Sequence, residues 1–423
     1  MSTPEQPSAA AIWRIESAKL IASIARVVKS VDRAEEIAHD VFVEAVARWN
    51  RAGYPENVGA WLMTAARHRA FDAVRNERRD LKKRELFASE AERAMPADFD
   101  EASDDVVGDD LLRLVFVACH PVLPPEAHVA LCLRLLGGLT TEEIARAFLV
   151  PEPTIAQRIT RAKRTLSEKK VPFELPQSGD LSARLESVLE AIYLIFNEGY
   201  LATAGDDWLR PELCQDALRL GRVLAELMPH EAEVHGLVSL MEIQASRARA
   251  RVGADGQAVL LLDQDRTQWD ALHVQRGFAA LERADAAVRD RPGPYFLQAP
   301  IAACHARAAS AADTDWPRIL VLYDALLAVA PSPIVELNRA VALGMAFGAE
   351  AGLAAVEPLV DDPALSEYPF LPSVRADFLA KLRRFEEARA EVERAAELTK
   401  NARERTLFLE RARSYAEQAE PRM

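Results

Sequence analysis

The sequence predicts an all-α protein: two small helical domains followed by a larger domain of helical repeats. Apolar residues recur at about 3.6-residue spacing along almost the whole chain, and no convincing run alternates apolar with polar residues as a strand would. Turn-forming residues (Gly53-Tyr54-Pro55-Glu56-Asn57, then Pro172, Pro176 and Gly179) fall between the periodic segments. Towards the C-terminus, small and apolar residues return in register at steps of 33 and 36 residues.

A chain of 423 residues, 50% hydrophobic and 28% charged, can bury several cores and suggests two to four domains. Four cysteines in that length exclude a disulfide scaffold and fit a reducing compartment. No segment reads as a signal peptide or a membrane span, so the expected location is the cytoplasm, with no membrane partner.

The first helix is marked by Ile12, Ile15, Ile21, Ile24, Val28 and Val31. Asp32 with Glu35 three residues on resembles a capping box and starts a second helix that runs through Trp49. A third helix spans about Val58–Arg84, with an apolar stripe of Leu62, Ala66, Ala70 and Val74. Residues 88–108 read as an acidic tether, extended by its own repulsion. Residues 109–172 form a compact helical block, and residues 180–420 the larger repeat domain. There Ala340, Leu343, Gly352, Val356 and Leu359 recur as Ala376, Leu379, Ala388, Val392 and Ala395, the spacing of tetratricopeptide-like helical hairpins.

The net charge of −13 hides an uneven distribution. Residues 171–423 carry an excess of 12 acids, whereas Leu62–Arg84 and Thr154–Lys170 each carry an excess of five bases. Two basic islands flanking an acidic linker point to nucleic acid. The second island belongs to a helix-turn-helix pattern. Thr140 and Glu143 form a capping box for one short helix, a turn follows, and Pro153 sits near the start of the next. Ile155, Ile159, Ala162 and Leu166 share one face, leaving Thr154, Gln157, Arg158 and Arg161 outward where base edges are read. Lys163 and Arg164 are placed to hold phosphates. Around the first island, Trp49, Tyr54, Asn57 and Trp61 mix aromatics with donors beside Arg67, Arg75, Arg78 and Arg79, a combination suited to single-stranded nucleic acid. In the second helix, Glu36 and Asp40 stand one turn apart, a like-charge pair that a basic partner surface would relieve.

These segments, over about residues 10–170, resemble a bacterial sigma factor of the sigma-70 family in its extracytoplasmic-function (ECF) group. The stretch Ala34–Phe42 is similar to region 2.2, which implies that Glu36 and Asp40 bind the coiled coil of the β′ subunit of core RNA polymerase. Residues 49–79 are similar to regions 2.3 and 2.4, which implies −10 promoter contacts by Tyr54, Asn57, Trp61, Arg67, Arg75, Arg78 and Arg79. Residues 109–170 are similar to region 4, which implies −35 contacts by Thr154, Gln157, Arg158, Arg161, Lys163 and Arg164. The implied division is region 2 at 10–87, an acidic linker at 88–108, region 4 at 109–172, and a tetratricopeptide-like C-terminal domain at 180–420. His68 stands where the family usually has Asn, and Pro153 where Gly is common. The phrases Ile195–Tyr200, Asp263–Asp270 and Ala299–Ala306 are similar to those of ECF factors with such an extension. The implied function is promoter recognition and transcription initiation, modulated by the C-terminal domain. The acidic surplus of that domain suggests an intramolecular contact shielding the basic islands.

A helix-turn-helix regulator with a repeat-type sensor, acting by ordinary operator binding, is the alternative function, and a peptide-binding scaffold a third. Cys119, His120, His128 and Cys132 are zinc-capable but are read as core residues, so neither metal nor cofactor is expected. No phosphate loop, dinucleotide fingerprint or nucleophile elbow is present, and no enzymatic role is expected. Asp263-Gln264-Asp265-Arg266 with Trp269 reads as a buried ion-pair network bracing helices, with a small polar site as the other reading.

Overall fold

The computed structural model describes residues 9–85, 104–148, 150–177, 180–200, 211–253, 259–289, 291–399 and 401–419. The described residues are helical with short connections, and the chain divides into two compact units, residues 1–194 and 195–423.

In the first unit, α1 (Ala9–Val28) is the central element, packed against α2 (Val31–Ala52), α3 (Val58–Glu85) and α4 (Asp104–Ala118). That position buries most of its C-terminal half, including Leu20, Ile21 and Ile24, whereas Ile15 stays 63% exposed, unlike the other marker residues of this helix. The helix also ends earlier than Val31. Lys29 adopts a left-handed φ of 55°, and Ser30 caps α2 by accepting from the Arg33 amide at 3.4 Å. The Asp32/Glu35 capping box therefore does not form, because a Ser three residues before Arg33 already satisfies the free amide.

Residues 88–103 of the expected acidic tether lie outside the described residues. From Asp104 the chain is helical, in α4.

A compact block follows: α5 (Pro125–Leu131) running into a π-helical turn at Cys132–Leu136, α6 (Thr141–Ala147) and α7 (Glu152–Glu168). Gly138 joins them with φ at 69°, and a Cβ there would stand 2.8 Å from the Ser17 hydroxyl of α1. Only glycine meets both conditions without strain. The boundary between the units falls within α8 (Leu181–Tyr200).

The second unit is a run of helical hairpins in which helices pack mainly on those one or two places away in sequence. It contains α9 (Pro211–Leu227), α10 (Ala232–Ser246), α11 (Ala271–Ala287), α12 (Pro294–Arg307), α13 (Trp316–Val329) and α14 (Pro333–Phe347). It continues through α15 (Ala349–Val356), α16 (Phe370–Lys381), α17 (Phe385–Leu398) and α18 (Ala402–Ala419). The recurring small and apolar positions are the buried ones: Ala340, Gly352, Val356 and Leu359, then Ala376, Leu379, Ala388, Val392 and Ala395. Gly344 and Gly352 let α14 and α15 close around the ring of Phe378, into which a Cβ at either position would run. Glu233 of α10 accepts from the amides of Tyr295 and Phe296 at 3.0 and 2.8 Å, capping α12 across the fold.

Candidate nucleic-acid interface

The helix-turn-helix forms as its residues dictate. Thr140 Oγ1 accepts from the Glu143 amide at 3.1 Å, and Glu143 Oε2 accepts from the Thr140 amide at 2.8 Å. Burial pushes the Glu143 carboxyl up, but the Thr140 hydrogen bonds and Arg14 at 2.9 Å outweigh it and hold the group below its ordinary range. In α7, Ile155, Ile159, Ala162 and Leu166 are buried, while Gln157, Arg161 and Arg164 are exposed and Thr154 and Arg158 half-buried. The N-cap of α7 is Pro151, which offers no side-chain acceptor; its carbonyl accepts from the Thr154 amide at 2.9 Å, and Pro153 has no N–H to offer.

Lys163 differs from its neighbours. It is only 16% exposed and turns towards α2, 2.7 Å from Asp32 Oδ1 and 2.7 Å from Glu35 Oε2. The α7 position that follows Ala162 faces the seam with α2, so the apolar packing carries the ammonium to the carboxylates instead of to solvent. Burial pushes Lys163 down, yet Glu35 and Asp32 raise it above the ordinary lysine value overall. Glu35 itself is 8% exposed and accepts from Arg134 Nε at 2.5 Å. Sequence reasoning missed Glu35 and Arg134 as a pair, because 99 residues separate them and each sits in an ordinary helical pattern. Asp110, also buried, is held by Arg26 at 3.2 Å and Arg113 at 2.6 Å, with burial pushing its carboxyl up.

Glu36 and Asp40 remain exposed on α2, lining a cleft of about 310 Å³ with His39, Arg134 and Lys163. Glu44, one turn further, pairs with Arg69 of α3 at 3.1 Å. The surface around the α2–α3 turn is aromatic. Trp49 is a core residue, 3% exposed, with Tyr54 and Trp61 packed against it at 5.3 and 5.4 Å between centroids. Both of those rings stay half-buried, and the Arg48 guanidinium lies over Trp61. Asn57 is exposed and caps α3 by accepting from the Ala60 amide at 3.0 Å, leaving its NH₂ outward-capable. Arg67 leans on the Ser23 hydroxyl at 3.5 Å, Arg75 stands 3.6 Å from Asp72, and Arg79 is exposed. The backbone of Arg78 continues α3, and its side chain lies outside the described residues.

Cys119 and Cys132 are buried with their sulfurs 3.1 Å apart, while the rings of His120 and His128 engage backbone groups. Arg266 does brace helices, but through neutral acceptors. It donates to the carbonyls of His305 and Ala308 at 2.6 and 2.8 Å and to the Thr314 hydroxyl at 2.9 Å, so the expected ion-pair network is replaced by carbonyl capping. Asp265 and Asp270 instead cap the turn and α11.

Three family models match the chain: Sigma-70 region 2 at residues 15–80, Sigma-70, region 4 at 113–166, and a family of unknown function (DUF6596) at 184–285. An uncharacterized protein of Rhizobium meliloti is 42% identical over 388 residues, covering 90% of each chain. The ECF RNA polymerase sigma factor SigK of Mycobacterium ulcerans is 30% identical over 152 residues, covering 34% of this chain and 75% of the relative. SigK of Mycolicibacterium vanbaalenii is 29% identical over 161 residues, covering 37% of this chain and 79% of its own. Among solved structures, yeast Tom70 aligns over 96% of this chain and 83% of its own at 13% identity and a TM-score of 0.31, a likeness too low to argue from.

Proposed function

The chain belongs to the ECF group of the sigma-70 family and is an RNA polymerase sigma factor, and from that premise we propose how its parts divide the work. Region 2 spans residues 10–87 and region 4 residues 109–172, joined by the acidic linker 88–108, with the C-terminal domain at 180–420. Glu36 and Asp40 dock on a basic surface of core polymerase, the coiled coil of β′. The exposed pair of like charges at one-turn spacing supports this, since α3 leaves both without a cationic partner among the described residues.

Tyr54, Asn57 and Trp61 attend the melted −10 strand. Half-exposed rings over a buried Trp49 give a rigid stacking platform, and Arg67, Arg75, Arg78 and Arg79 track its phosphates. Thr154, Gln157, Arg158 and Arg161 read the −35 duplex from the major groove, with Arg164 on phosphate. Lys163 joins them once α7 leaves α2. The protein works by binding, in the cytoplasm where the polymerase acts, and no described helix is long and apolar enough to cross a membrane. The C-terminal domain modulates activity through contact with the sigma domains.

The observation that carries this reading is the exposed Glu36–Asp40 pair on the same helix that leads into an aromatic, arginine-rich turn. An operator-binding regulator has no use for that combination. Reversing both charges (Glu36→Lys with Asp40→Lys) is expected to lower affinity for purified core polymerase at least tenfold while sparing affinity for duplex −35 DNA. Equal loss on both, or none on either, would refute the assignment.

A further inference from the structure

In the second unit, the end of α8, the turn after α10 and helices α16 and α18 enclose a cavity of about 250 Å³. Two cations line it, Arg247 and Arg251, and a third lies near them. Arg251 stacks on Tyr200, its guanidinium 3.8 Å from the ring centroid. Arg247 lies between Tyr200 and Trp269, at 5.8 and 5.6 Å, and makes a single side-chain hydrogen bond, to Gln264 Oε1 at 3.3 Å. Arg266 backs them, 5.4 Å from Trp269. None of the three has a carboxylate within ion-pair distance among the described residues, and the Arg251 side chain donates no hydrogen bond there.

Such a grouping is costly, because like charges repel and burial strips their water. Burial, followed by the nearby arginines, holds Arg247 below the ordinary arginine value. The same cluster holds buried polar atoms with no partner in the structure: Tyr200 Oη, Arg266 Nε, Trp269 Nε1 and His305 Nδ1. Of these, Tyr200 Oη belongs to the cavity lining, where an unpaired buried hydroxyl beside two cations calls for an acceptor. Glu404, the carboxylate on the cavity wall, does not serve. It is not within ion-pair distance of the arginines: burial raises its carboxyl against the Thr399 hydroxyl, which donates to it at 2.5 Å, and the attraction of Arg251. The opposite wall is apolar, formed by Leu260, Leu261, Phe370 and Phe408.

We propose that this cavity binds a small organic anion, a carboxylate or phosphate on a flat apolar body, with its oxygens held by Arg247 and Arg251. Two guanidiniums supply the bidentate donors that such oxygens accept, and the leucine and phenylalanine side chains cover the body. The three sequence phrases of the C-terminal half each send a residue to this cluster: Tyr200, then Gln264 with Arg266 and Trp269, then His305. Promoter recognition makes no use of them, and the proposal stands apart from it.

The test is calorimetric titration of the full-length protein at constant ionic strength with phenyl phosphate, benzoate, inorganic phosphate and uncharged benzamide. Saturable binding of phenyl phosphate or benzoate is expected, the stronger of the two identifying the anion, with benzamide and inorganic phosphate at least tenfold weaker. Arg251→Gln should weaken that binding at least tenfold without moving the circular dichroism spectrum, since beyond its stacking on Tyr200 its side chain makes no hydrogen bond or ion pair among the described residues. Absence of binding by both aromatic anions, equal binding by benzamide or inorganic phosphate, or full affinity in Arg251→Gln would each overturn the proposal.

Discussion

The ammonium of Lys163 on α7 lies 2.7 Å from Oε2 of Glu35 on α2, while Arg134 holds the other oxygen at 2.5 Å. A carboxylate so enclosed is tolerable only with both cations present. The trio fastens α7, proposed to read the −35 element, to the helix proposed to face polymerase, and on that reading promoter binding has to release it. Arg134 is in neither proposed contact set, so Arg134→Gln isolates the fastening. Losing a charged hydrogen bond costs about 1.5–3 kcal/mol. If opening precedes docking, affinity for core polymerase should rise by about tenfold or more. Fluorescence anisotropy with labelled protein measures it, and an unchanged affinity would show that this contact does not oppose binding.

Arginines on α7 and α3 should behave differently in DNA titrations. Arg158→Ala or Arg161→Ala is expected to cost about 1–3 kcal/mol on a −35 duplex and to relax discrimination between sequences. Arg75→Ala or Arg79→Ala should weaken binding evenly across sequences and flatten its salt dependence. Titrations on two unrelated sequences at several salt concentrations separate the two patterns. Uniform loss from the α7 substitutions would remove them from base reading.

Local patterns carried much of this into the sequence. The Thr140/Glu143 box, the buried face of α7 and the hairpin positions around Gly352 and Ala388 depend on neighbours within a few residues, and periodicity exposes them. Lys163 followed the same logic up to its own turn, where the direction of the side chain is decided by α2, more than a hundred residues earlier. Ser30 outcompeted Asp32 as a cap for a similar reason: the left-handed Lys29 sets the helix start, and no pattern announces it. The Arg247 cluster was half legible. Tyr200, Gln264, Arg266, Trp269 and His305 stood out within phrases of the sequence, but Arg247 and Arg251 did not, and the meeting of these segments is a property of the fold.

His305 gives the second unit a pH dependence. Burial, then Arg247 and Arg266, lowers its imidazole to about 4, against about 6.5 in an unfolded chain. Between those values the unfolded state binds the additional proton, so stability rises with pH across the window and is lost as pH falls towards 4. The effect amounts to about 3 kcal/mol at most. His305→Phe keeps the packing on Trp316 and should flatten urea midpoints between pH 4 and 6.5. A wild-type slope persisting in the variant would place the titration elsewhere.

The thiols should be quiet. Burial pushes Cys214 up to about 12, and burial likewise raises Cys304. Thiolate is the reactive form, so iodoacetamide at neutral pH should modify neither in the native protein and both in urea. Rapid native labelling of Cys214, read by mass spectrometry, would contradict its placement against the Phe196 carbonyl.

Run-off transcription with purified core polymerase tests the central claim most directly, using templates that carry candidate −35 and −10 elements. The full-length protein is expected to start a discrete transcript, and Glu36→Lys with Asp40→Lys, or Arg158→Ala with Arg161→Ala, to abolish or sharply reduce it. A protein that binds these duplexes yet yields no transcript with core polymerase on any template, or variants as active as the wild type, would contradict the account.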